Sequence, residues 1–441
     1  MKNWLKTFLI TLFTLTIITL LIFLSIPNSS RIPDRQPIPS AFPSSVTPFC
    51  ETDLIAKDDK NPSDNPTDTS DTNTSDTDAS DTTSSAAPQE NATVMPSAAP
   101  SPSISPDTLT LCFMGDLMCL AGQQYTAERE DGSHDYTGSF ALLKDRFAEC
   151  DLVVGNLETI LSESNPYSTQ ERNVNDQPNC NAPADYLDSL RLAGVTHLVT
   201  ANNHCLDGGL TGITETIAHL DKAGFPHTGT YTTDYTGDRF LLFEKNGMFI
   251  ALLSFTELLN QRGLLTPEEL TQCVDSYSAS AAAERITAAR EAGADFVIVY
   301  NHWGSENVHE VRDYQRQHAK QLAEAGADII IGSHPHCLQE METIITDDGR
   351  SVPCFYSLGN VVSSMTRDIN NDTMLVFLTL QNPDSTTGQP LISSLDLLPC
   401  HVLTKLGSSY RVITPVDYPS DDEKTAAELA AAAERIGIIF P

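Results

Sequence analysis

One run constrains this chain more than any other: an apolar, β-branched stretch that stops at glycine and hands over to two histidines, Ile329-Ile330-Ile331-Gly332-Ser333-His334-Pro335-His336. Such a run reads as a buried parallel strand. In an open α/β sheet, groups just beyond the carboxyl ends of strands face the ligand crevice. Histidines spaced i, i+2 in a turn can both point at one small volume, and imidazole suits Zn, Fe, Mn, Ni or Cu. An H-x-H alone is also what two ordinary loop histidines look like, so the weight falls on the other strand ends.

From Leu109 onward strand-like runs alternate with helical periods. Leu109–Met114 reads as a strand ending at Gly115-Asp116, and a helix is expected over Phe140–Glu149. Leu152–Val154 ends at Gly155-Asn156-Leu157-Glu158, and Pro183–Ala193 reads as helix. His197–Thr200 runs into Ala201-Asn202-Asn203-His204 with Asp207, and the helix of Thr211–Ala223 is ended by Gly224. Phe240–Phe243 and Met248–Phe255 predict a hairpin turned at Asn246-Gly247. After an Ala-rich helix at Ser278–Ala292, the strand Phe296–Tyr300 ends at His302-Trp303-Gly304-Ser305-Glu306, and a helix over Val311–Ala325 leads to the opening strand. Met341–Ile345, Cys354–Leu358 and Met374–Leu380 read as largely antiparallel strands, and Glu423–Arg435 as a surface helix. β/α alternation followed by a β-rich end predicts a layered α/β domain.

Five strand ends thus supply Asp116, Asn156 and Glu158, Asn203 and His204, His302, and His334 and His336. Carboxylate, amide and imidazole form the ligand set of one or two borderline or hard divalent cations. Placed at one edge of one sheet, they predict a metal site. Ten cysteines contain no C-x-x-C pair and read mostly as packing residues, with a ligand role left open for Cys205 and Cys337, which follow motif histidines.

The ends of the chain differ in kind. Lys2 and Lys6 precede an uncharged run, Phe8–Ile26, near the shortest length that spans a bilayer. No small-x-small site follows, so residues 1–26 are expected to be an uncleaved signal anchor. Residues 27–107 are rich in Pro, Ser, Thr and Asp and poor in large apolar side chains, the composition of a disordered tether. The expected organisation is anchor, tether, a globular domain over 108–400 and an extension over 401–441. This places the protein in the cell membrane, single-pass, with its domain outside. A formal net charge of −33 argues against nucleic acid, whose phosphates need Lys and Arg.

The ordered series Gly115-Asp116, Gly155-Asn156-Leu157-Glu158, Ala201-Asn202-Asn203-His204 with Asp207 and Gly209, His302-Trp303-Gly304-x-Glu306, Gly332-x-His334-Pro335-His336 and Ser357-Leu358-Gly359-Asn360 resembles the CapA family of capsule or poly-γ-glutamate biosynthesis proteins. The match spans roughly Leu109–Leu380. The resemblance implies a calcineurin-like metallophosphoesterase sandwich with one or two divalent ions, Mn, Fe or Zn. It implies as metal ligands Asp116, Asn156, Glu158, Asn203, His302, His334 and His336. His204 matches the histidine that contacts substrate and would be the general acid, with Asp207 three residues on to orient its ring. Glu306 has no counterpart in that pattern and reads as a substrate contact, a partner of a ligand or a salt-bridging surface residue. Trp303 could stack on substrate, with burial against the sheet the favoured reading. Two positions depart from the metallophosphoesterase pattern: Met118 stands where a histidine ligand is usual, and Asn156 where a bridging aspartate is usual. A single strongly held metal and a dinuclear site of altered affinity both fit those departures. Two functions follow as expectations. One is a metal-dependent hydrolase acting on a phosphoester or γ-glutamyl linkage. The other is a non-catalytic subunit of a membrane complex that makes or exports an anionic polymer such as poly-γ-glutamate.

Overall fold

The computed structural model describes residues 107–382, 390–404 and 411–440. In chain order, β1 (Thr108–Leu117) leads through short helices α1 (Ala121–Ala127) and α2 (Lys144–Ala148) to β2 (Leu152–Leu157). A small hairpin, β3 (Asn173–Val174) and β4 (Gln177–Pro178), precedes α3 (Asp185–Ala193), β5 (His197–Val199), α4 (Gly209–Ala223) and β6 (His227–Thr228). Then come β7 (Leu241–Lys245), β8 (Met248–Thr256), α5 (Pro267–Cys273), α6 (Ala279–Glu291), β9 (Phe296–His302), α7 (Asp313–Ala325) and β10 (Ile329–Ser333). The rest is β11 (Leu338–Ile345), β12 (Ser351–Leu358), β13 (Asn360–Val362), β14 (Asp372–Gln381), β15 (Leu391–Thr404), β16 (Arg411–Pro415) and α8 (Glu423–Ile439).

Two sheets result. The first has the order β16-β15-β14-β1-β2-β5-β6 with β13 also paired to β1, and the second β11-β12-β10-β9-β8-β7. Side-chain alternation explains why they stack. In β1, Leu109, Leu111 and Phe113 share a core with Ile250, Leu252, Ile298, Tyr300, Ile329 and Ile331 of the second sheet. Cys112 and Met114, on the opposite face, pack with Phe140, Phe147, Tyr186 and Leu190 of the helical side. The second sheet repeats the scheme, with Val297, Val299 and Ile330 against Ala282, Ile286, Ala319 and Leu322 of α6 and α7. The layers are therefore helix, sheet, sheet, helix. Each fully buried Leu, Ile or Phe of the central layer contributes about 1.5–3 kcal/mol of burial.

Several expectations are met closely. The hairpin turns at Asn246 and Gly247, both with positive φ (54° and 74°), as a two-residue turn of that composition requires. Gly224 ends α4 in the left-handed conformation. All nine described cysteines are free, and all but Cys150 are buried.

Others are corrected. The donors do not lie along one sheet. Asp116, Asn156 and Glu158 follow the first sheet, whereas His302, His334 and His336 follow the second. A sequence pattern marks strand ends but not which sheet a strand joins. The helix expected over Phe140–Glu149 is a 3-10 turn at Thr137–Phe140 and the short α2. β12 pairs antiparallel with β11 but parallel with β10. Residue 400 is no boundary, since β15 crosses it and β16 extends the same sheet. β15 exposes much of its first half and β16 is only five residues long, so neither shows the apolar run that marks a buried strand. The terminal helix runs on to Ile439 and buries Leu429, Ala432 and Ile436. The run Phe8–Ile26 and the tether lie outside the described residues. Among the described residues no helix is long and apolar enough to cross a membrane.

Candidate metal centre

Close approach of backbone builds the pocket. A Cβ on Gly115 would stand 2.0 Å from the Gly359 carbonyl oxygen, and one on Gly332 would stand 2.0 Å from that of Tyr356. Only glycine lets β1 and β10 run so near their neighbours at the point where each delivers its donor. Asp116 then sits in register between Asn156 of β2 and Asn360 of β13. Beyond Gly332, His334 and His336 hold φ at 97° and 53°, which is rare for a non-glycine residue. Strain of this kind persists where surrounding contacts overdetermine it, commonly at functional sites. Here it turns both rings toward β9 and β1.

The structure brings Asp116, Asn156, Glu158, Asn203, His302, His334 and His336 into one pocket, none more than 6 % exposed. His302 Nε2 lies 2.9 Å from Asn203 Oδ1, 3.2 Å from His334 Nδ1 and 3.5 Å from Glu158 Oε1. His336 Nε2 is 3.6 Å from the same Glu158 oxygen, and its Nδ1 is 3.2 Å from Asp116 Oδ2 and 3.0 Å from Asn360 Oδ1. The Asn156 amide nitrogen is 2.9 Å from Asp116 Oδ1, 3.5 Å from Glu158 Oε2 and 3.4 Å from His302 Nδ1.

The electrostatics of the set are uneven. Burial, with Asp116 beside it, pushes the Glu158 carboxyl well up. Burial and the neighbouring imidazoles push His302 well down and His334 to about 3, leaving both rings neutral with a lone pair to offer. Burial opposes charge on both Asp116 and His336, yet their mutual hydrogen bond and charge attraction, with the bonds from Asn156 and the His334 backbone to Asp116 and from His336 to Asn360, together outweigh it, so Asp116 falls and His336 rises. Glu158 Oε1 is buried and has no hydrogen-bond partner. An orphaned carboxylate oxygen costs about 1–3 kcal/mol or more, so a buried one asks for a ligand. Three groups of ligand atoms close enough to share an ion converge here: Glu158 with His302 and His334, Asp116 with Glu158 and His336, and Glu306 with His334 and His336. The residues fit a divalent cation.

At the side stands His204, whose Nδ1–H donates to Asp207 Oδ2 at 2.8 Å. The same oxygen accepts the Cys180 backbone N–H at 2.7 Å, while Asp207 Oδ1 is buried without a partner. A carboxylate only accepts, so this bond fixes the ring with Nε2 turned away from Asp207. His204 lies close enough for its charge to bear on both His302 and His334. Cys180 joins His204 and Asp207 in a fourth cluster that nothing in its sequence context announces. Burial pushes its thiol well up, which makes it a poor ligand.

The two expected substrate contacts part company. Glu306 is exposed and stands over His334 and His336 at the mouth. Trp303 is fully buried, its Nε1–H donating to the Tyr356 carbonyl at 2.9 Å and its ring stacked on Tyr356, so it faces no substrate. Its indole packs into the core between the second sheet and α7 instead. Sequence reasoning gave no role to Asn202, Ser333 or Asn360, all of which lie inside quoted motifs and hold a donor in place.

The chain is 29% identical over 294 residues to the PGA biosynthesis protein CapA of Bacillus subtilis, covering 66% of this chain and 73% of that protein. It is 28% identical over 275 residues to the capsule biosynthesis protein CapA of Bacillus anthracis, covering 61% of this chain and 63% of that one. Among solved structures, NAD nucleotidase of Haemophilus influenzae superposes with a TM-score of 0.44 at 12% identity, covering 74% of this chain and 62% of that chain. The calcineurin-like phosphoesterase YfkN of Bacillus subtilis gives 0.40 at 15%, covering 74% and 97%. Superpositions this loose carry no weight below. The family described as bacterial capsule synthesis protein PGA_cap matches residues 110–365, which include every donor of the pocket, and the chain belongs to that family.

Proposed function

We propose that this protein is a divalent-metal-dependent hydrolase of capsule-polymer metabolism with a metallophosphoesterase-like site, anchored in the cell membrane by Phe8–Ile26 with its domain outside. The observation that carries the reading is the partnerless, buried Glu158 Oε1 among three imidazoles, beside the His204–Asp207 pair. A divalent ion, when bound, supplies Lewis-acid polarisation and an acidified water.

The chain's own groups do the rest. Asp207 holds the His204 ring in one orientation, so that Nε2 can deliver a proton to a leaving oxygen or nitrogen. Near-complete burial of the donors excludes bulk water and strengthens every charge–dipole contact. Glu306, exposed beside His334 and His336, is placed to meet substrate or product. A phosphoester and a γ-glutamyl linkage both suit a site that polarises an oxygen and protonates a leaving group. The family, and the printed names of the relatives, favour a polymer such as poly-γ-glutamate as the setting.

The test is the full chain in mild detergent, loaded with Mn²⁺ and given a model phosphodiester and a γ-linked glutamyl peptide. Turnover of either that vanishes in His204→Ala, with metal retained, supports the enzyme. Metal binding without turnover supports the second reading, a non-catalytic metal-holding subunit that works with synthase or export partners, which family membership favours.

A further inference from the structure

Resting on the metal reading above, we infer that the pocket takes one divalent cation, held by Glu158 with the imidazoles, and that Asp116 and Asn156 act as hydrogen-bonding supports rather than ligands. Amide orientation carries the first step. The His204 backbone N–H donates to Asn202 at 3.2 Å, and a backbone N–H meets an acceptor, so that end of the Asn202 amide is its oxygen. The other end lies 2.8 Å from the Leu157 carbonyl and 3.3 Å from that of Thr200, both acceptors, and is therefore the NH₂. This NH₂ also reaches Asn156 at 3.1 Å, which makes that end of Asn156 its oxygen. The NH₂ of Asn156 is thereby aimed at Asp116 Oδ1 and Glu158 Oε2. A cation lodged between those two carboxylates would face amide hydrogens.

Asp116 has little left to give. Its Oδ1 accepts from Asn156, and its Oδ2 accepts the His334 backbone N–H at 3.2 Å and lies 3.2 Å from His336 Nδ1. Three donors thus occupy three of its roughly four lone-pair positions. Glu158 is the reverse, tied through Oε2 and free at Oε1.

The remaining donor atoms, Glu158 Oε1, His302 Nε2, His334 Nδ1, Asn203 Oδ1 and His336 Nε2, face one another rather than any supporting group. Neighbours among them stand 2.9 to 3.6 Å apart. Ligand atoms about 2.0–2.2 Å from one ion stand roughly 2.9–3.5 Å apart. Outer hydrogen bonds orient two of the rings: with Nε2 left for the ion, His302 Nδ1–H donates to Ser333 Oγ at 2.8 Å, and His336 Nδ1–H donates to Asp116 Oδ2 and Asn360 Oδ1. Ligating imidazoles are commonly held in that way.

The experiment is metal counting on the full chain dialysed against Mn²⁺ or Zn²⁺ alone, with the Mn²⁺ form read by electron paramagnetic resonance. One ion per chain with the spectrum of an isolated Mn²⁺ is expected. Two ions with an exchange-coupled spectrum overturn the inference but leave the metal reading standing; no bound ion overturns both. Asp116→Asn, checked for folding by circular dichroism, is expected to keep one ion at about 10–100-fold weaker affinity, and Glu158→Gln to bind none. Asn156→Asp replaces the blocking NH₂ by a carboxylate and is expected to admit a second ion. A count that stays at one in that variant overturns the role given to Asn156.

Discussion

Two buried carboxylates, Glu158 in the pocket and Asp372 at the start of β14, sit in similarly polar company and end up in opposite states. Asp372 is fully matched: His401 Nδ1 approaches one oxygen at 2.7 Å, and Arg435 grips both, through Nε at 2.7 Å and Nη2 at 2.8 Å. Glu158 keeps one oxygen without a hydrogen-bond partner, with only the His302 and His336 rings near it at 3.5 and 3.6 Å. The matched cluster is structural, since it ties α8 to the first sheet and leaves nothing to bind. The unmatched one carries an unsatisfied demand that a ligand can meet. Polarity and burial alone do not distinguish the two; the count of satisfied oxygens does.

Four experiments would break or sharpen that contrast. The largest effect is expected of Glu158→Gln, which should weaken Mn²⁺ or Zn²⁺ binding by more than about 100-fold by calorimetric titration, since a ligand should matter more than the outer-shell groups that cost that much. Unchanged affinity there would dissolve the difference between the clusters. His204→Ala should lower kcat on any accepted substrate by about 100- to 10,000-fold while the metal count stays constant. Next, adding Mn²⁺ at about one hundred times Kd should stabilise the wild-type fold by about 2.7 kcal/mol in denaturant unfolding, and Glu158→Gln not at all.

Arg435→Ala should cost about 1–2 kcal/mol without changing metal content, because the guanidinium is 37% open to solvent and its bonds are worth less than buried ones. The same variant should be more sensitive to acid. Burial pushes the Asp372 carboxyl up, but His401 and Arg435 outweigh it and hold it below its ordinary value. A depressed carboxylate adds stability that is complete above its unfolded pKa, about 4, and is lost as pH falls through the folded value. Without Arg435 the acid unfolding midpoint should move to higher pH.

Much of the pocket was legible because its chemistry sits at the ends of strongly patterned strands. Ile329–Ile331 and Phe296–Tyr300 announce themselves by unbroken apolar runs, and the histidines that follow inherit their positions. What was not legible depends on contacts between distant segments. Nothing local tells that β1 and β10 belong to different sheets, whereas burial of Trp303 against a sheet is the reading its sequence already favours. Cys180 reaches His204 and Asp207 only because its backbone N–H bonds to Asp207. β15 escaped notice because its exposed residues break the apolar pattern on which the strand reading relies, and β16 because it is short and carries Arg411, Thr414 and Pro415.

The donors straddle the seam where the two sheets lie face to face, Asp116 and Glu158 on one side and His302 and His336 on the other. A cation gripped from both sides is a rivet through that seam. Sliding one layer against its neighbour would pull the rivet's holes out of line, so mutations deep in the shared apolar filling, far from any histidine, should loosen the ion, and the ion in turn should stiffen the stack.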